Sequence, residues 1–484
     1  MDRGSALMLV LAVILLPILV AGLLLALPRN DRNLSQSIGT LVALVTLILL
    51  GLARNQEWSY RWLSRPFEAS FHFGPTPISF WIAYLLALCT LCAIASASVP
   101  RMRDFTAQML LLQGTMNGLF LARDLLVFAL FWDLMLLPVF FVLIGWGRHQ
   151  TTAWRYFIYN FAGGLTLLLA TAAFGVIYGS TDVIGRPGFH LVGSWAPWIF
   201  AGFAFAFLVK TPVWPLHTWM PLTYADTPPP MIAVVAAVQS KAGLYGLIAI
   251  AAAFMPDYVH AYSGVFVVLG AISLLYGALV ALTQVDAKRV VAYSSLSHLG
   301  LIVIAIASQN QLALQGALVY IVAHGLFSAA LFIILGYVEE REGTRSLLRL
   351  GGMGNANPRL AGALCIAALA ALGLPGLAGF AGEIVILIGV YQAGLVWAAI
   401  VALIAIVFAS AYMLRLYQDI MNGPQLDDLP VRRDLSWNEG IAIAPLVVAL
   451  VLLGVQPGPV LSSAAESVTL SLSKGAVTAR MSAP

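Results

Sequence analysis

Charge is the scarcest thing in this chain: of 484 residues only 10% are Asp, Glu, Lys or Arg, while 61% are hydrophobic. No soluble globular protein has that balance, so the composition excludes the soluble classes before any motif is read. Cysteine is scarce too, with three residues. Cys89 and Cys92 form a C-x-x-C inside an apolar stretch and Cys365 stands alone in another, so they read as small buried hydrophobes and not as a redox pair or a metal site. Nor is there a flexible linker or a low-complexity segment, and no polar connection exceeds about 25 residues. A chain without a soluble domain has no place for a nucleotide, a flavin or an iron–sulfur centre of its own. Nothing in it suggests a nucleic-acid partner.

What fills the chain is apolar sequence in lengths that cross a bilayer. Fourteen such stretches start at about residues 5, 35, 77, 104, 124, 152, 195, 228, 260, 288, 312, 359, 394 and 436. This predicts an all-α polytopic membrane protein. The first stretch, Ser5 to Leu27, is too long and uniform for a signal-peptide core, and Pro28-Arg29-Asn30-Asp31-Arg32 is no small-residue cleavage site; it is expected to stay as a membrane anchor. Between the second and third stretches, Asn55 to Thr76 alternates aromatic and polar residues (Trp58, Tyr60, Trp62, Phe67, Phe71, Phe73) as a short interfacial hairpin does.

Basic residues divide unevenly between the two faces that fourteen crossings define. Fifteen fall opposite the termini, among them Arg29, Arg101, Arg148, Lys288, Arg345 and Arg432, and eight fall on the terminal face, among them Arg61, Arg123, Arg186, Lys474 and Arg480. The positive-inside rule then predicts both termini on the non-cytoplasmic side, with a bacterial inner membrane as the setting. The run Glu339-Glu340-Arg341-Glu342-Gly343-Thr344-Arg345 reads as an ordinary solvated helix exit without a chemical role.

Four ionisable side chains sit inside the apolar stretches: Asp133, Lys210, Lys241 and Glu383. A charge at mid-membrane costs roughly 2.5–3.5 kcal/mol on the gentler insertion scales, so each is expected to face a partner, a protein interior or water. Two acids and two bases in a low-dielectric interior suit a proton relay, because each charge sets its neighbour's readiness to hold a proton. Asp133, flanked by Trp132 and Leu134, needs a cation, and Lys210 is the natural one. Lys210 and Lys241 lie on consecutive stretches, so the chain can return them to similar depth. His298 and His324, on neighbouring stretches with Ser294, Ser295, Ser297 and Ser328 around them, fit a hydrated path between Lys241 and Glu383. His217 fits either that path or the satisfaction of freed carbonyls.

Two stretches are interrupted by proline with a charge beside the break. The seventh has Lys210 before Thr211-Pro212-Val213-Trp214-Pro215, and the twelfth runs Gly373-Leu374-Pro375 through Gly382-Glu383. Matching broken helices in two halves are the sequence mark of a transport site built from inverted repeats. The expected division is an N-terminal three-helix segment, 1–103, a first five-helix repeat, 104–254, a second inverted repeat, 260–421, and a last helix with a short polar tail, 422–484.

Six segments, in order, resemble one family. Phe131-Trp132-Asp133-Leu134-Met135, Val209-Lys210-Thr211-Pro212 with His217-Thr218-Trp219-Met220-Pro221, Lys241-Ala242-Gly243-Leu244-Tyr245-Gly246, Asp286-Ala287-Lys288-Arg289 with Ala292 to His298, Ala323-His324-Gly325-Leu326, and Gly373 to Glu383 are similar to the antiporter-like subunits of respiratory complex I. The likeness spans about residues 75–430. Its nearest branch is the M type, the homologues of mitochondrial chain 4: the L and N types and the multisubunit sodium/proton antiporters typically carry lysine where this chain has Glu383. Two departures stand out. The family has glutamate where this chain has Asp133, and Pro221-Leu222-Thr223-Tyr224 with Pro228-Pro229-Pro230 replaces a family Pro-Asp-Ala-His loop.

The resemblance implies about fourteen transmembrane helices, two inverted five-helix repeats and broken helices 7 and 12. It implies a proton-translocating membrane subunit of an NADH:quinone oxidoreductase, with NADH, FMN, iron–sulfur clusters and quinone all on other subunits. Asp133 would modulate Lys210, Lys241 with His298 and His324 would carry protons, and Glu383 would be the terminal group. The expected partners are neighbouring antiporter-like subunits and the lipid bilayer. A subunit of a sodium/proton antiporter or a membrane-bound hydrogenase is the alternative within the fold, and a structural scaffold the alternative outside it.

Overall fold

The computed structural model describes residues 3–26, 31–184, 191–422 and 433–466. Leu27 to Asn30, Arg186, Arg432, Lys474, Arg480 and most of the polar tail lie outside them. Among the described residues, eleven helices are long and apolar enough to cross a membrane. The other three stretches are accounted for as follows. The fourth, Met102–Leu121, is a continuous helix but carries Gln113 and Asn117, both fully buried, with Asn117 Nδ2 donating to Val13 O of the first helix at 3.0 Å. The seventh is split into Ala196–Lys210 and Met220–Asp226, and the twelfth into Pro358–Ala371 and Ala378–Gln392. Fourteen stretches are therefore present, with the breaks in the two expected places.

The remaining spans, in order, are Arg3–Ala26, Arg32–Leu52, Pro77–Ala95, a fifth made of Leu125–Leu134 and Leu136–Trp146, a sixth Gln150–Tyr178, an eighth from Pro229 to Ala252, then Ser263–Thr283, Ala287–Ala307, Gln311–Glu342, Val396–Met421 and Trp437–Val455. The fifth kinks at Met135 because Pro138 has no N–H to return to the preceding turn. The eighth and eleventh are buried along their whole hydrophobic windows, while only a third of the first two is covered. The core thus runs along the eighth, tenth and eleventh spans.

Asn55 to Thr76 does form a hairpin: Trp58–Leu63 pairs antiparallel with Ala69–Phe73, Trp58 opposite Phe73. His72 anchors it, with Nδ1 2.7 Å from Asp182 and Nε2 2.5 Å from Glu57. Burial alone would lower this imidazole's pKa, but the hydrogen bonds and charges of Asp182 and Glu57 outweigh it and leave His72 above its ordinary value. The hairpin in turn holds the start of the fifth span. Asp124, its N-cap, accepts from Ser70 N at 2.9 Å and from Thr181 Oγ1 at 2.9 Å as well as from Leu126 N at 2.8 Å.

On the opposite face the charges of the eleventh helix's exit are not merely solvated. Glu339 bridges Lys288 at 2.7 Å and Arg148 at 2.5 Å, Arg345 meets Asp286 at 2.6 Å and Arg341 meets Glu439 at 2.8 Å. The expectation of an ordinary exit is corrected here, because charges that look solvated along the chain are brought together from four spans where the helices end. Cys89 and Cys92 are buried free thiols.

Candidate functional site

The two breaks keep their backbone satisfied in different ways. In the seventh span, Val209 O accepts from Trp219 Nε1 at 3.1 Å, and Trp214 N donates to Ser273 Oγ of the ninth span at 2.9 Å. In the twelfth, Gly373 turns at φ +80°, and Leu374 N returns to Leu369 O at 3.0 Å. Non-helical backbone at membrane depth persists only where protein or water supplies such partners. Lys210 is the last residue of its half-helix, where the partial negative charge of the helix end favours a cation. Glu383 lies in the second turn of its half-helix, and its side chain tilts back so that Oε2 lies over Gly373.

The eighth span is not a regular α-helix. Val235–Gln239 and Leu247–Ala252 are π-helical, on either side of the α-helical turns from Lys241 to Gly246. Single π turns inside helices gather at functional sites. Here the wider turn lets Lys241 Nζ donate to Ala236 O, five residues back on its own span. Lys241 is fully buried, and its Nζ also lies 2.6 Å from His324 Nδ1 on the eleventh span. Gly325 permits that approach, since a Cβ there would stand 2.9 Å from Ala237 O. Ser328 Oγ is the second partner of His324 Nδ1, at 3.3 Å.

From His324 the polar line continues. The His298 ring stands edge-on to it at 5.5 Å, and Tyr412 OH of the thirteenth span is 3.2 Å from His298 Nε2. Tyr320, whose ring is 5.8 Å from His298, donates to Glu383 Oε1 at 2.5 Å. Gly382 makes that contact possible, because a Cβ there would lie 2.8 Å from Tyr320 N. Lys241, His298, His324 and Glu383 are therefore brought into one buried cluster.

The first half is looser. Lys210 is 1% exposed, and its Nζ donates to Asn160 Oδ1 of the sixth span at 3.2 Å, with the rings of Trp132 and Tyr156 at 5.8 and 5.9 Å. It forms no ion pair with Asp133, whose Oδ1 is buried without a hydrogen-bond partner. The expected contact is replaced by a lysine–amide bond, because the sixth span packs against both residues. Tyr156 OH then donates to Gln239 Oε1 at 3.0 Å, and Gln239 Nε2 to Met135 O at 3.0 Å, which ties the Lys210 region to the turn before Lys241. His217 stands apart from this line, its ring against Tyr276 at 5.2 Å.

Asn160, Tyr156, Gln239, Tyr320 and Tyr412 went unseen in the sequence. Neutral polar residues are tolerated in apolar helices without the cost that makes a charge conspicuous, so nothing short of the packing singles them out. Among the described residues no group of three or more His, Cys, Asp or Glu side chains could hold a metal ion. What the arrangement can do chemically is hold and exchange protons among a row of buried bases, Lys210, Lys241, His324 and His298, that lies between the acids Asp133 and Glu383.

A polytopic helical protein with a buried polar axis and two broken helices is the class that fold and site define. Residues 122–409 match the model of the NADH:quinone oxidoreductase/Mrp antiporter transmembrane family. NADH-quinone oxidoreductase subunit M of Pseudomonas aeruginosa is 37% identical over 76% of this chain and 74% of its own length, and that of Rickettsia prowazekii 31% identical over 83% of each. A chain of respiratory complex I from Thermus thermophilus superposes with a TM-score of 0.85 over 95% of this chain and 99% of its own, at 30% identity. A chain of the Mrp complex from Dietzia sp. superposes equally well at 22% identity, over 98% of this chain and 99% of its own, and shows the fold alone. The chain belongs to the NADH:quinone oxidoreductase/Mrp antiporter transmembrane family.

Proposed function

We propose that this chain is the M-type proton-translocating membrane subunit of an NADH:quinone oxidoreductase, coupling electron transfer on other subunits to proton movement across the membrane. The observation that carries the reading is the Lys241 Nζ to His324 Nδ1 contact at 2.6 Å, a buried base meeting a buried base in the middle of the core. Two such groups side by side share a proton readily and are a poor choice for packing alone. In this reading Asp133 modulates Lys210, Lys241 receives the proton, His324 and His298 pass it on, and Glu383 is the terminal group. Tyr320 and Tyr412 hold Glu383 and His298 at the far end.

NADH, FMN, iron–sulfur clusters and quinone belong to other subunits of the assembly, and the flanking partners are neighbouring antiporter-like subunits. The two five-helix repeats are 104–254 and 260–421, with 1–103 and 422–484 outside them. Arg148, Lys288, Arg341 and Arg345, linked through acids at one face, support that face as cytoplasmic, and the hairpin with Arg61 and Arg123 marks the other. Both termini then lie on the non-cytoplasmic side of a bacterial inner membrane. A sodium/proton antiporter subunit would share the fold, but the carboxylate at Glu383 fits the M type.

The test is Lys241→Ala in the assembled complex. NADH-driven proton uptake into membrane vesicles is expected to fall roughly a hundredfold, since a positioned proton-transfer group contributes on that order. Near-parental pumping in a complex of verified subunit content rules the role out.

A further inference from the structure

The sixth span, Gln150–Tyr178, contributes no charge to the axis, yet it meets Asp133 at Gly164 and Lys210 at Asn160. Asn160 and Gly164 are four residues apart and so lie on one face of that helix. Gly164 faces Asp133 so closely that a Cβ there would collide with Asp133 Oδ1 and stand 2.8 Å from its Cγ. Asn160, 1% exposed, accepts from Lys210 Nζ through Oδ1 at 3.2 Å and donates through Nδ2 to Tyr156 O at 2.8 Å. That second bond fixes the amide so that its oxygen, and not its nitrogen, faces the lysine. One helix face thus provides a notch for the acid and an acceptor for the base.

We propose that Asn160 is a positioning residue for Lys210: it is the resting acceptor that holds the amine off Asp133, and the Asp133–Lys210 pair forms only when Lys210 leaves it. The inference rests on the proton-translocating reading above. Its chemical basis is the difference between an amide and a carboxylate as acceptors. A neutral amide oxygen can accept from an ammonium or from an uncharged amine, and it favours the ammonium far less than a carboxylate does, so it commits Lys210 to one protonation state only weakly. A carboxylate at the same place binds the ammonium far more strongly and would hold the lysine charged. The family's longer glutamate in place of Asp133 would reach one bond further; aspartate leaves Lys210 to the amide.

The test is proton uptake by vesicles carrying the assembled complex, followed from about pH 6 to pH 9. Asn160→Asp is expected to lower pumping about tenfold and to alter its pH profile, as a coupled buried pair does on gaining a charge. Asp133→Asn is expected to lower it by a similar factor. The double variant Asn160→Asp with Asp133→Asn, which exchanges amide and carboxylate across Lys210, is expected to pump better than either single variant. A purely structural role for Asn160 predicts no such rescue. A double variant no better than the singles, or Asn160→Asp with parental rate and pH profile, overturns the proposal. If Asn160→Asp does not assemble, Asn160→Ser and Asn160→Ala decide: serine keeps an acceptor and is expected to outpump alanine, and equal rates overturn the proposal. Lys241→Ala separates the two readings, since parental pumping there sinks the relay itself, while loss there with parental Asn160 variants sinks only this inference.

Discussion

The two halves of the buried axis are built from similar parts and wired differently. Around Lys241, His324, His298 and Glu383 each side chain has at least one partner, lysine in Ala236 O and His324, His298 in Tyr412 and Glu383 in Tyr320, although His298 Nδ1 and His324 Nε2 are buried without one. Around Asp133 and Lys210 the acid has an oxygen with no partner and the base has one neutral acceptor. A buried polar side chain that is anchored by a neighbour is held in place, while one whose buried oxygen meets no donor keeps an alternative arrangement within reach. The tight half is suited to carrying a proton along a fixed line, and the loose half to switching. The Tyr156 to Gln239 bond is the material link between them, because it joins the helix that carries Asn160 to the turn that carries Lys241.

The comparison breaks most visibly at Glu383. If the tight half carries protons, Glu383→Gln lowers NADH-driven pumping roughly a hundredfold while Glu383→Asp keeps most of it, because the amide retains the tyrosine contact but cannot take up a proton. Equal pumping by the glutamine variant and the parent would make the second half a structural clamp. A smaller effect is expected in the loose half. Asp133→Ala removes the counter-charge that Lys210 reaches on leaving Asn160, and about a tenfold loss of pumping follows if the pair forms transiently. Asp133→Glu is expected to be tolerated: at an effective dielectric of about 20 a pair at about 4 Å is worth about 4 kcal/mol, and the longer side chain draws the charges nearer to that separation. An alanine variant that pumps like the parent would show that the acid takes no part.

The smallest effect concerns what anchors the loose half. The hairpin grips the fifth span through Asp124, and His72 grips the hairpin between Asp182 and Glu57. Because His72 titrates above its ordinary value when folded, its contribution to hairpin stability is complete below the ordinary value of about 6.5 and is lost as pH rises through the folded one. Hydrogen exchange of the Trp58–Phe73 amides, corrected for intrinsic rates, should therefore show protection falling toward alkaline pH, and His72→Gln should remove the dependence. Protection that rises with pH would contradict the assignment.

What could be read from the chain and what could not divide along the cost of burial. Asp133, Lys210, Lys241 and Glu383 were legible because an ionisable group in an apolar stretch is expensive and stands out, and the two breaks because proline cannot donate in a helix. The fourteen stretches were legible for the same kind of reason, since bilayer thickness sets the length of an apolar run. The fourth helix already marks the edge of that reading: its asparagine donates to Val13 O of the first span, while both polar atoms of its glutamine are buried without a hydrogen-bond partner.

Only the tertiary structure decided who touches whom. The π-helical turns on either side of Lys241, in a span buried along its whole hydrophobic window, leave no mark in a run of Val, Ala, Leu and Ile. Lys210 met Asn160 and not Asp133 because a third helix lies against both, a fact about packing that no spacing along the chain contains. The chain alone determined which residues bear charge inside the membrane and where its helices break. Their partners depend on distances of a few ångströms between helices far apart in sequence, and those distances exist only once the helices have packed.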